Sequence, residues 1–165
     1  MKLSSILTGV IVSPVAIPAN FFAIPLRLIV GFGFLQHGFA KLLRGGDAFV
    51  GILVAMHLPF PELLGWATVV MEILCGALIL IGAFVPLAAI PAIIILLVAI
   101  FTAHLPYGFS SIKLLSYDAM GAHFGQPGYE TDLLYIASIL ALVIGGAGPF
   151  SVEAILRRRL LHRGK

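Results

Sequence analysis

Apolar residues run through this chain in long blocks separated by clusters of proline and glycine, and the blocks have the length of membrane-spanning helices. Crossing about 30 Å of hydrocarbon takes roughly 20 helical residues. Windows 21–43, 63–83 and 86–105 supply that length, and a fourth, 131–149, is slightly shorter. Breakers fall between them: Gly45 and Gly46, Pro59 and Pro61, Pro86, then Pro127 and Gly128. The pattern predicts an all-α fold, an integral membrane four-helix bundle forming a single domain over residues 1–165. Residues 1–20 are apolar but interrupted by Pro14 and Pro18, which suits an interfacial lead-in segment better than a cleaved signal peptide. The long 106–130 connection carries Tyr107, Phe109, Tyr117, Phe124 and Tyr129, rings that suit the membrane interface as anchors or as a lid.

Within the windows, small and ionisable residues keep helical spacing. At about 100° per residue, Arg27, Gly31, Phe34, Gly38 and Lys41 share one stripe of the first helix, with His37 on its flank. Gly65, Thr68, Glu72, Gly76 and Ala83 share one face of the second, beside Cys75. Apposing the two stripes buries their costly groups against one another. Ala99 and Ala103 in the third helix, and Ala137, Ala141 and Gly145 in the fourth, have the spacing that allows close helix packing.

Composition makes lipid the solvent. The hydrophobic fraction is 61% and the charged fraction 10%, well under the typical quarter, roughly, of soluble domains. Mean hydropathy is +1.13. Arg157, Arg158, Arg159, Arg163 and Lys165 make the 150–165 segment a basic tail. Basic residues beside spans stay on the cytoplasmic side, so four helices place both the N- and C-termini in the cytoplasm. The same run attracts anionic lipid, and nucleic acid is not an expected partner. Cys75 is the single cysteine, so no dithiol relay operates within this chain.

An ionised carboxylate at mid-membrane costs roughly 2.5 to 3.5 kcal/mol on insertion scales, so Glu72 needs a partner or a hydrated cavity. At about 1.5 Å per residue, Glu72 lies roughly 15 Å and His37 roughly 9 Å from the outer ends of their helices. Lys41 can reach the same depth from above. His104 and Glu130 belong to the same outer half, so His37, Lys41, Glu72, His104 and Glu130 are the candidates for ligand binding or proton handling. Toward the cytoplasmic side, Arg27 and Glu153 are expected to form a structural ion pair. His57 and His123 have no ligand spacing around them, and no metal site is expected.

These residues resemble the DoxX family of small four-helix bacterial membrane proteins. The resemblance covers nearly all of 26–156. It rests on Arg27-Leu28, Gly31 and the run Phe34-Leu35-Gln36-His37-Gly38-Phe39-Ala40-Lys41-Leu42, then on Glu72, Gly76 and Gly82. It continues through Phe101-Thr102-Ala103-His104-Leu105-Pro106-Tyr107-Gly108-Phe109 and Gly128-Tyr129-Glu130, and closes on Gly146-Ala147-Gly148-Pro149-Phe150-Ser151-Val152-Glu153. Residues 110–126 are longer than the corresponding family loop, and Glu153 stands where the family usually has aspartate. The resemblance implies a bacterial cytoplasmic (inner) membrane location and a link to membrane oxidoreductase assemblies, including a thiosulfate:quinone oxidoreductase subunit. A quinone is then the candidate cofactor, held in an apolar pocket by His37, Lys41, Glu72 and His104. No flavin, haem or iron–sulfur motif is present, so a soluble redox protein is the candidate partner. A non-enzymatic scaffold that docks a partner is the alternative reading, and homo-oligomer formation stays open.

Overall fold

The computed structural model describes residues 18–163. A short 3-10 turn, Ala19–Phe22, leads into α1 (Ala23–Leu43), which is followed by α2 (Gly46–Ala55), α3 (Pro61–Ile81) and α4 (Val85–Ala99). One π-helical turn, Ile100–His104, and a 3-10 turn, Leu105–Tyr107, extend α4. A hairpin of β1 (Leu114–Asp118) and β2 (Gly121–Phe124) comes next, then α5 (Glu130–Gly145) and α6 (Val152–Arg163). Of the expected 1–20 segment, residues 1–17 lie outside the described residues.

Among the described residues, three stretches are long and apolar enough to cross a membrane: Ala19–Leu43, Pro61–Ile81 and Val85–Tyr107. α5 has 16 residues and packs along α4 and α1. Large apolar side chains cover the outside of the bundle, with Leu28, Ile29 and Phe32 on α1 and Leu87, Ile90 and Ile94 on α4 all exposed. Their exposure is the arrangement of a protein solvated by acyl chains.

Local chemistry sets the helix ends. Pro61 opens α3 and Pro86 lies in the first turn of α4, where a missing N–H costs nothing. Gly82 ends α3 in the left-handed region at φ 65°. Its N–H and that of Ala83 return to the carbonyls of Ile79 and Leu78, closing the helix in a Schellman-type turn.

α1 and α3 make the closest contact in the bundle, along the stripes of glycine and charge. Buried positions include Arg27, Gly31, Phe34 and Gly38 on α1 and Glu72, Cys75 and Gly76 on α3. A Cβ built on Gly76 would stand 2.7 Å from the Leu35 backbone nitrogen and 2.8 Å from the Gly31 oxygen. The two backbones touch there. The rest of the core includes Val30 and Ile79 with Ala88, Ala89 and Ala92 of α4 and Ile139 and Leu142 of α5. On α5 the buried face therefore differs from the expected Ala137, Ala141, Gly145 stripe. Ala137 is exposed, and Gly145 instead receives the Phe22 ring.

Two connections carry structure that the hydropathy pattern does not mark. The 44–61 connection contains α2, which packs on α3 through Val50 against Gly65 and Trp66 against Gly46. The all-α expectation is corrected in 106–130, where β1 and β2 pair antiparallel, with Tyr117 opposite Ala122 and Ser116 opposite His123. Alternation puts Tyr117 and Ala122 on one face and Ser116, Asp118 and His123 on the other. The hairpin stem is tied to the bundle by Gly128, Tyr129 and Glu130 amides donating to Ser110, Gly108 and Phe109 carbonyls.

The glycine seam predicts a sharp contrast between two substitutions. Gly76→Val forces the α1 and α3 backbones apart and lowers unfolding free energy in bilayer-mimetic solution by about 1–3 kcal/mol, as overpacking does. Gly51→Ala, on α2 with nothing within 4 Å of the new Cβ, leaves it unchanged or raises it by up to about 1 kcal/mol through helix propensity. Equal tolerance of both would contradict the backbone contact.

Candidate functional site

Antiparallel packing of α1 on α3 sets Lys41, near the C-terminal end of α1, above Glu72, halfway along α3. Lys41 Nζ donates to both Glu72 oxygens, at 2.5 and 2.6 Å. Glu72 is only 5% exposed. The Phe49 ring of α2 lies 4.8 Å from Lys41 Nζ, so the short helix closes over the pair and adds a cation–π contact. Removing two charges from water is costly, and the short bidentate geometry is what offsets it.

His37 does not join them. It is exposed, one position away from Gly38, whose Cα rests against Glu72 and Ile73, and the 100° step turns its ring aside. The apolar pocket expected between the first two spans is likewise not formed at this level. A Cβ on Gly38 would meet Ile73 Cγ1 at 2.7 Å and Glu72 Cβ at 3.1 Å, so side chains fill that space. Among the described residues, clefts lie elsewhere. One, of about 580 Å³, is lined by Pro25, Leu28, Ile29, Phe32 and Leu80; another, of about 400 Å³, sits at the opposite end of the bundle from Lys41, beside Phe150.

A second pair forms between α4 and α5. His104 Nδ1 and Asp132 Oδ2 lie 2.5 Å apart. His104 ends the π-helical turn, a local widening that re-aims side chains. Asp132 stands in the first turn of α5, where the helix dipole favours a carboxylate. Its side chain is 10% exposed and that of His104 30%. No protein group among the described residues bonds Nε2 of His104, so the imidazole is held on one nitrogen and open on the other. This arrangement can accept or release a proton at the open nitrogen while the carboxylate fixes the ring.

Asp132 stands outside the residues singled out from the sequence. As the second residue of the 131–149 window it resembles an ordinary first-turn acid, and the signal that marks it is its spacing with the buried Ile139 and Leu142. Glu130, by contrast, is a fastener. Its carboxylate accepts the Ser111 N–H at 3.0 Å and ties the loop stem to α5.

At the other end of the bundle, Arg27 and Glu153 do not form the direct ion pair expected of them. The Arg27 guanidinium donates five hydrogen bonds, to the carbonyls of Leu80, Ala147, Pro149 and Phe150. These close the C-terminal end of α3 and the turn after α5, where helix dipoles favour a cation. Glu153 accepts the Val85 N–H at 2.8 Å, at the N-terminal end of α4, where an anion is favoured. Each charge is thus spent on helix ends, and no N···O contact of a salt bridge links them. Ser151, 1% exposed, accepts the Ala154 N–H and caps α6.

An exposed pair lies on the hairpin. His123 Nε2 is 2.9 Å from Asp118 Oδ2. That bond, followed by the Met120 and Gly121 amides, holds the Asp118 carboxyl below the usual aspartate range.

Paired charges inside a lipid-facing helical bundle define a polytopic membrane protein. Residues 22–105, just over half the chain, match the DoxX family model. The chain belongs to the DoxX family. It is also 29% identical over 138 residues, 81% of this chain and 80% of the relative, to a protein of Mycobacterium tuberculosis (strain ATCC 25618 / H37Rv) named "Uncharacterized membrane protein Rv3486". No solved structure matches.

Two expected outcomes follow from these pairs. Lys41→Met strands the Glu72 carboxyl and lowers unfolding free energy by about 3 kcal/mol, and adding Glu72→Met restores most of the loss; additive losses in that cycle would contradict a direct pair. For the hairpin, a lowered carboxyl pKa means that its contribution is complete above the ordinary aspartate range and is lost as pH falls through the lowered value. The Met120 amide resonance therefore stays fixed through the ordinary range and moves only below it. Movement within the ordinary range would contradict the His123 contact.

Proposed function

We propose that this DoxX-family protein is the membrane component of a quinone-linked oxidoreductase system in the bacterial inner membrane. In this reading the chain crosses four times, α5 being the last crossing, with both termini cytoplasmic. Arg157, Arg158 and Arg159 on α6 support that orientation, because basic residues are retained inside. His104 and Asp132 then lie near the outer surface of the membrane.

The observation that carries the proposal is the imidazole of His104, anchored by Asp132 and open at Nε2. A quinol that gives up two electrons must also lose two protons. His104 takes one at Nε2 from a quinol hydroxyl, the second passes to water at the membrane surface, and both electrons leave to a soluble redox partner, which is reduced as the quinol becomes quinone. The reacting ligand approaches His104 from the lipid side, since the space between α1 and α3 is filled. Lys41 and Glu72 support the fold beneath it.

That filled seam also favours a second reading, a non-enzymatic scaffold whose charges only hold helices together. Protein purified in native lipid separates the two. The redox reading expects stoichiometric quinone, reduced about tenfold or more by His104→Ala and by Asp132→Asn, as for loss of a charge-assisted hydrogen bond. Folded variants that keep their quinone, or wild type that carries none, would overturn it in favour of the scaffold.

A further inference from the structure

The cleft of about 400 Å³ at the Arg27 end is lined by Pro18, Phe21, Pro149, Phe150, Ile155 and Arg158, among others. It lies between the turn that leads into α1 and the first turns of α6. Its two walls differ in chemistry. Phe21 and Phe150 meet edge to face with ring centroids 6.4 Å apart, forming an aromatic wall at the end of the bundle. Ile155 and Arg158 lie on one face of α6, and Arg158 places a cation at the rim.

No acidic side chain lines the cleft. Glu153, the acid nearest along α6, is turned to the Val85 amide. Arg27, the nearby buried cation, has its donors taken by carbonyls. Arg158 is therefore a cation without a protein counter-charge among the described residues, and Arg157 and Arg159 on either side add to the positive potential. An apolar slot topped by a guanidinium fits one ligand class, an amphiphile with an anionic head and a hydrocarbon tail. We propose that the cleft binds an anionic phospholipid, its phosphodiester on Arg158 and the start of its acyl chain against Phe21, Phe150 and Ile155. The binding needs only that the bundle be embedded in lipid, and it is independent of the redox reading.

Native mass spectrometry of the full chain in detergent with added phosphatidylglycerol or phosphatidylethanolamine tests this. One phosphatidylglycerol is expected to stay bound in preference to phosphatidylethanolamine. Arg158→Gln should weaken its retention about fivefold, the worth of roughly one arginine beside an anionic surface. Ile155→Ser should weaken it as well, through the apolar wall, and Arg157→Gln, one position off the cleft, should leave it nearly intact. Equal losses for Arg157→Gln and Arg158→Gln would mean diffuse attraction by the arginine run and would overturn the site. Displacement of the lipid by glycerol phosphate or inorganic phosphate at matched concentration would assign the cleft to a soluble phosphate instead.

Discussion

A carboxylate buried in the middle of a lipid-facing helix is the constraint on which the rest of this bundle depends. Glu72 is held by Lys41 at 2.5 and 2.6 Å, and that contact exists only because α1 and α3 approach without side chains between their backbones. Gly31, Gly38 and Gly76 supply the approach. Hydrocarbon offers no hydrophobic drive for helices to associate, so tight packing and polar contacts must provide it. The seam and the pair are therefore one device: the glycines bring the charges together, and the charges reward the contact.

The opposite end solves the same problem with helix termini. Three helix ends and a turn converge there with unpaired carbonyls and amides, each expensive in a low-dielectric setting. Arg27 absorbs the carbonyls and Glu153 an amide. The Gly146 to Glu153 segment reads as a string of parts for this junction: carbonyls for Arg27, Ser151 to cap α6, and Glu153 to reach α4. Both ends of the bundle are thus locked by charge.

Much of this was legible in the chain because membrane helices carry their burial pattern in the spacing of small and ionisable residues. The stripes of α1 and α3, and the meeting of Lys41 with Glu72, follow from a 100° step and a depth count. His37 shows the limit of that reasoning, since one position off the stripe is enough to expose it. Arg27 and Glu153 came to the right junction, but sequence spacing says nothing of backbone carbonyls, which outbid the opposite charge. α2 and the hairpin escaped notice because hydropathy records burial in lipid and is nearly silent about folded connections. Asp132 was hidden by its place at the start of a window, where acids are common for the sake of the helix dipole.

The family shows the protein to be a membrane protein, and the two pairs differ in their surroundings more than in their exposure. Lys41 lies beside the Phe49 ring and gives its hydrogen bonds to Glu72, whereas the His104 ring meets Asp132 through Nδ1. Everything rests on the α1 to α3 contact being real in lipid. Dipolar recoupling between 15N-labelled Lys41 Nζ and 13C-labelled Glu72 Cδ, by solid-state NMR of the protein in bilayers, measures it directly. The account predicts the strong coupling of atoms in hydrogen-bonded contact; absent coupling in a folded sample would mean that Glu72 faces another partner or the acyl chains, and the glycine seam would lose its purpose.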